Sequence, residues 1–173
     1  MISGSNFNLT AFDSLESQEK RLCLLSKTAE MGDWSHTFKT DITTWSEYLY
    51  DFYELDKNYD CSTLLESTHF YQGYEKEKML ALIAHVTIEK TERTEEFMVV
   101  MDDGRSKWHT TTIYPMLDEQ GGLIGLYGIL QNITAKKQVA ENKKKEHLLY
   151  NYILDRLPLE LVVLNKEGQY IYA

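Results

Sequence analysis

The sequence predicts an α+β domain: a five-stranded antiparallel sheet with short helices on one face, an N-terminal helix before it and a C-terminal linker helix after it. Three observations carry that prediction. Residues 97 to 133 hold two consecutive hairpin patterns, residues 33 to 45 hold a shorter one, and the intervening segments repeat their apolar residues near a 3.6-residue period.

The long hairpins are the clearest local signal. Phe97, Val99 and Met101 alternate with Met98 and Val100, and Asp102-Asp103-Gly104 supplies a turn. The partner strand runs from Lys107 to Met116, alternating Trp108, Thr110, Thr112 and Tyr114 with His109, Thr111 and Ile113. Asp118 to Gly122 makes a second turn, and Leu123 to Ile133 a third strand, which together form an antiparallel meander. The shorter hairpin pairs a strand from Asp33 to Lys39 with Ile42 to Trp45 through a Thr40-Asp41 turn.

Helices fill the gaps. Leu15, Leu22, Leu25 and Ala29 share one stripe, with Ser14 and Ser17 as N-cap candidates and Gly32 placed as a C-cap glycine. Ser46, followed by Glu47, is an N-cap for a short aromatic helix ending near Tyr53, and Asp60 to Ser67 reads as another short helix. A longer helix covers about Tyr74 to Lys90, with Met79, Leu80, Ile83 and Val86 inward, Ala84 beside them, and Glu75, Lys76, Lys78 and Glu89 outward. The expected organisation is a disordered leader over 1–13, an N-terminal helix over 14–31, the central domain over 32–134 and a linker helix over 135–157. Residues 158–173 then open a second, truncated domain: Pro158 stops the helix, Leu161 to Leu164 reads as a buried strand, Asn165 to Gly168 as a turn and Tyr170 to Tyr172 as a strand start.

Composition excludes several functions. The net charge is −9, from 27 acidic and 18 basic side chains, which repels a polyphosphate backbone. The dense basic run Lys143-Lys144-Lys145 is flanked by Glu141 and Glu146 and reads as a solvated helix face. Cys23 and Cys61 lack paired spacing and fit ordinary thiols of a reducing compartment. The first twenty residues do not read as a secretory signal, and no apolar run approaches the roughly 20 residues a bilayer span needs. A cytoplasmic location without membrane or nucleic-acid contact is the expectation. Phosphate-loop, nucleophile-elbow and zinc-helix signatures are absent, so no catalytic site is expected in this chain.

Residues at several separated positions resemble the PAS domain. Gly32-Asp33-Trp34 followed by Thr44-Trp45-Ser46-Glu47 is similar to that family's opening pattern, and Thr68-His69-Phe70 stands where many members have an Ile-His-Pro-type segment. Asp103-Gly104 then Trp108 resembles the first long hairpin. Gly121-Gly122, Gly125, Gly128, Ile133-Thr134 and Lys136-Lys137 resemble the PAC-type closing motif. Asn132 replaces the usual Asp of that motif, and Phe70 replaces a common Pro. The resemblance implies a sensory module of a bacterial two-component sensor histidine kinase, followed by the start of a second PAS domain. It also implies a homodimer, and a downstream kinase or other output domain as partner.

Within that resemblance, the candidate ligand-pocket residues are Trp45, Tyr53, Met79, Ile83 and Phe97, drawn from a chain with twelve tyrosines and three tryptophans. Aromatic residues filling a small core explain any one of them equally well. Asn132 and Thr134 are the candidate signal-relay joint, placed to bond the first free N–H groups of the following helix. His85 is a candidate haem ligand because some relatives use a histidine on that helix. An exposed histidine near a helix C-terminus is the competing reading, and no cofactor is expected. Cys61 lies in Tyr-Asp-Cys-Ser-Thr, which does not match the reactive cysteine motif of flavin-binding relatives. His36, His69, His109 and His147 carry strand-face, turn or surface roles. A ligand-free dimerisation spacer and a haem gas sensor are the rival functions.

Overall fold

Alternation and turn chemistry produce the sheet. In the computed structural model, which describes residues 15–64, 68–156 and 165–169, the strands are β1 (Met31–Thr37), β2 (Ile42–Trp45), β3 (Arg93–Val100), β4 (Ser106–Leu117) and β5 (Leu123–Asn132). All pair antiparallel in the order β2-β1-β5-β4-β3. Two helices, α2 (Glu47–Tyr53) and α3 (Tyr74–Glu89), cover one face, with α1 (Leu15–Thr28) before β1 and α4 (Thr134–Arg156) after β5. This is the expected α+β architecture.

The strand period decides what is inside. Phe97 and Val99 from β3, Ile113 from β4, and Leu126 and Leu130 from β5 point at Leu49 and Phe52 of α2 and at Met79, Leu82 and Val86 of α3. Each side chain fully buried in this way contributes roughly 1.5–3 kcal/mol. Two glycines let the layers close. A Cβ on Gly128 would lie 2.2 Å from the Trp34 indole, which crosses β5 at that point. A Cβ on Gly32 would lie 2.8 Å from Leu49.

That contact corrects the reading of Gly32. It is not a helix cap but a buried β1 residue on which Leu49 sits, and Glu30 takes the left-handed turn at φ 52° instead. Ser46 also differs. Its hydroxyl does not cap α2 but accepts the Asp33 N–H at 2.8 Å, while its own N–H donates to the Asp33 carbonyl at 2.9 Å, pinning β2 to β1. Ser17 lies inside α1, and Ser14 falls outside the described residues. On α3 the inward positions are Met79, Leu82 and Val86, with Ile83 half-buried. Leu80 and Ala84 are exposed, because the stripe is centred one position away from the expected one. Of the helix expected over 60–67, residues 60–63 are not helical and 65–67 lie outside the described residues.

The β3 edge is covered in part. The Glu75 carboxylate accepts the Met98 N–H at 3.4 Å, and the Lys78 ammonium donates to the Glu96 carbonyl, so α3 occupies two of the groups that another strand would pair with.

The chain divides into two units after Ala135. In the second, α4 runs to Arg156 with no buried residue, and Lys145 bonds Glu141 at 2.7 Å one turn earlier. A turn over 165–169 follows, closed by the Gly168 N–H on the Asn165 carbonyl at 2.9 Å with Gly168 at φ 77°. The expected leader and the strands at Leu161 to Leu164 and Tyr170 to Tyr172 lie outside the described residues. No described helix is long and apolar enough to cross a membrane.

Candidate functional site

Between α2, α3 and the inner sheet face lies a cavity of about 30 Å³, walled by aliphatic residues, Trp34, Trp45, Tyr53, Tyr71, Thr68 and Thr111. Its aromatic side is a column. Trp45 stacks on Tyr53 at 5.2 Å between ring centroids, and Tyr53 stacks on Phe70 at 4.3 Å. Phe70, standing where the resembled family has proline, thus supports a wall residue.

The polar side is a chain of four buried groups. The Tyr53 and Tyr71 hydroxyls lie 3.0 Å apart, Tyr71 lies 3.0 Å from His109 Nε2, and His109 Nδ1 lies 2.9 Å from the Thr111 hydroxyl. The strand period creates half of it, because His109 and Thr111 are two apart and so share the inner face. The other half comes from the loop before α3, which delivers Tyr71. Burial drives the His109 pKa down to about 3, with the Thr110 backbone pulling weakly the other way, so the imidazole is neutral. Burial likewise pushes both tyrosine hydroxyls upward.

Of the candidate pocket residues, Trp45, Tyr53, Met79 and Ile83 line the cavity. Phe97 stands behind it, fully buried, stacked on His109 at 5.5 Å. His109 was assigned a strand-face role, and its place in this chain is what sequence reasoning missed. His85 is half-buried on α3 and is not a wall of the cavity. Cys61 is buried against the Tyr50 hydroxyl at 3.2 Å. The volume suits about two water molecules, so neither haem nor flavin fits the residues as they stand. His36 is also buried, its Nδ1 3.0 Å from the Thr43 hydroxyl directly across the β1–β2 pair. His69 is exposed beside Tyr59, and His147 is exposed on α4 near Asn151.

At the joint, the Asn132 side-chain oxygen accepts the N–H of Thr134, the first residue of α4, at 3.0 Å. That is the expected capping bond. The Thr134 hydroxyl does something else: it accepts the Trp108 N–H at 2.9 Å and returns a bond to the Trp108 carbonyl at 3.3 Å. The Ile133 N–H donates to the same carbonyl at 2.8 Å, the Asn132 N–H donates to Glu30, and the Asn132 side chain also meets the Tyr48 hydroxyl of α2. Three segments of the domain, β4, α2 and the residue before β1, therefore converge on these three residues.

A twisted 2-1-5-4-3 antiparallel sheet with helices over one face and an aromatic-lined interior cavity is the PAS fold. A family model described as PAS fold matches residues 84–138, from the last turns of α3 through the sheet's long hairpins and the joint. Solved structures agree on the fold. A sensory box histidine kinase/response regulator from Burkholderia thailandensis has 14% identity over 76% of this chain and 98% of its own, at a TM-score of 0.59. The N-terminal domain of a diguanylate cyclase with PAS/PAC sensor from Marinobacter aquaeolei has 10% identity over 62% and 98%, at 0.56. A domain of a putative light and redox sensing histidine kinase from Haloarcula marismortui has 13% identity over 66% and 99%, at 0.54. No curated protein matches the chain by sequence.

Proposed function

We propose that the chain is a signal-sensing module without catalysis of its own, cytoplasmic, and part of a two-component sensor kinase or a similar signalling protein. A ligand in the interior cavity changes the packing of α2 and the sheet, and the change passes through Asn132, Ile133 and Thr134 into α4. The observation that carries this reading is the joint. Trp108 of β4, Tyr48 of α2 and Glu30 before β1 all bond the three residues that lead from β5 into α4, which supports passing a shift of the sheet or of α2 to the helix's first turn. A difference of about 1.4 kcal/mol between two joint geometries changes their ratio tenfold.

Replacing Asn132 and Thr134 together by Ala tests it. In the full-length parent the double variant is expected to keep the domain folded by circular dichroism while losing at least about tenfold of its signal dependence. Unchanged signalling refutes the relay. A dimerising spacer is the second reading, favoured by Leu22, Leu24 and Leu25 of α1, which are 62–66% exposed.

A further inference from the structure

The polar chain beside the cavity has one proton more than it needs. Its three contacts each take one hydrogen. Three hydroxyls and a neutral imidazole supply four. Two orders satisfy every contact. In one, Tyr53 donates to Tyr71, Tyr71 to Nε2 and Nδ1–H to Thr111, leaving the Thr111 proton over. In the other, Thr111 donates to Nδ1, Nε2–H to Tyr71 and Tyr71 to Tyr53, leaving the Tyr53 proton over. They differ by hydroxyl rotations and by which ring nitrogen holds the imidazole proton, which exchanges with water only when the buried cluster opens locally.

Both ends of this chain, Tyr53 and Thr111, are walls of the cavity. The cavity therefore always meets one spare donor at one end and one acceptor at the other. We propose that Tyr53, Tyr71, His109 and Thr111 act as one relay that restricts the cavity to neutral, single-ring ligands carrying a hydrogen-bonding oxygen on an apolar body. The proposal rests on the cavity being the ligand site of the sensory module.

Charge selection follows from the walls. None of the described side chains lining the cavity is a carboxylate, ammonium or guanidinium, so a carboxylate or ammonium placed there is desolvated without a partner among them, at a cost of several kcal/mol. The charges acting on the relay, Lys78 towards His109 and Glu75 towards Tyr71, are already engaged, Lys78 with Glu95 and the Glu96 carbonyl, Glu75 with the Met98 N–H, and in the adjoining groove Asp41 lies 3.7 Å from His36 Nε2. Size selection follows from the neighbouring space. A groove of about 350 Å³ lies outside the cavity and shares Leu64, Thr68 and Ile83 with it. Leu64 and Ile83 are therefore the side chains that a single ring must displace to reach the relay from the groove.

The test uses the whole chain, labelled with ¹⁵N at histidine and titrated at pH 7 with phenol, toluene and benzoate. Phenol is expected to move the His109 ring signals saturably, because it fixes one order of the relay, and to bind about tenfold more tightly than toluene. Benzoate is expected to leave those signals in place. Tyr53→Phe together with Thr111→Val, which removes both end hydroxyls, is expected to bring phenol down to the toluene affinity, and Tyr71→Phe, which only cuts the relay, to reduce the phenol-induced movement of the His109 ring signals. Equal binding of phenol and toluene, benzoate moving the His109 signals, or no probe moving them overturns the proposal. Failure of the joint variants to alter signalling, with these titrations as expected, removes the relay into α4 but leaves the ligand selection standing.

Discussion

Two polar clusters in this domain have opposite characters. Around Tyr71 and His109, four groups are sealed from water, none is charged, and every contact is a single hydrogen bond. Around Glu47, Lys27, Lys57 and Asp51, the groups are charged and face solvent, with Lys57 bonding Glu47 at 2.6 Å and Lys27 lying 3.5 Å from both Glu47 and Asp51. Both clusters shift a pKa strongly. His109 falls to about 3 through burial, and the Lys57 bond pulls Glu47 down to about 2. The causes differ, so the consequences differ. Water screens the exposed pairs and competes for each partner, whereas the sealed chain has no alternative partner when a bond is broken.

The largest effect expected from this contrast is an acid limb due to His109. Its folded pKa lies below its unfolded value, so the folded state binds fewer protons. The stability is fully present above about pH 6.5 and is lost as pH falls towards about 3. At roughly 1.4 kcal/mol per pH unit, the loss across that window is on the order of 4 kcal/mol. Urea denaturation of wild type and His109→Gln from pH 7 to 3 isolates it, since other titrating groups are common to both. The wild-type curve is expected to fall more steeply. Parallel curves mean that His109 is not held neutral.

Much of the fold was legible because it rests on local periods. The β4–β5 hairpin follows from alternation plus the Asp118 to Gly122 turn, and β2 coincides with the expected Ile42 to Trp45. The readings that failed depended on distant partners. Gly32 follows a helix and looks like a cap, but Leu49, seventeen positions on, dictates its role. The Thr134 hydroxyl faces Trp108, 26 positions back, instead of its own helix. His109 was legible as a strand residue and illegible as a relay member, because its ring meets Tyr71 across 38 positions and Tyr71 meets Tyr53 across 18. The pocket candidates came from aromatic and apolar content, a signal that cannot separate Tyr53, on the cavity wall, from Phe97 behind it.

A smaller effect is expected when the sealed chain is cut at its end. Thr111→Val keeps the shape and the β propensity but leaves His109 Nδ1 without its partner at 2.9 Å. Thr111 is 1% exposed, so water does not replace the hydroxyl freely. The expected cost is about 1–2 kcal/mol in urea denaturation at pH 7. A neutral result means that water reaches the ring and the cluster is not sealed.

The smallest effect belongs to the exposed cluster, although its shift in pKa is among the largest in the domain. Glu47 accepts from Lys57 and from the Cys23 thiol, and Lys27 stands nearby, so its carboxyl ionises at about 2. Its folded pKa is lowered, so whatever stability it adds is present above the ordinary carboxylate range and disappears as pH falls through about 2. Solvent surrounds every member, and the side chains of Glu47 and Lys57 are about half and more than half exposed. Replacing Glu47 by Gln is therefore expected to leave the denaturation midpoint unchanged within error at pH 7 and 0.15 M salt, where charges beyond about 8 Å are screened. Any residual difference should vanish at 1 M salt. A loss that persists there makes the cluster a structural clamp between α1 and α2, and removes the contrast between sealed and solvated polar groups on which the other two measurements rest.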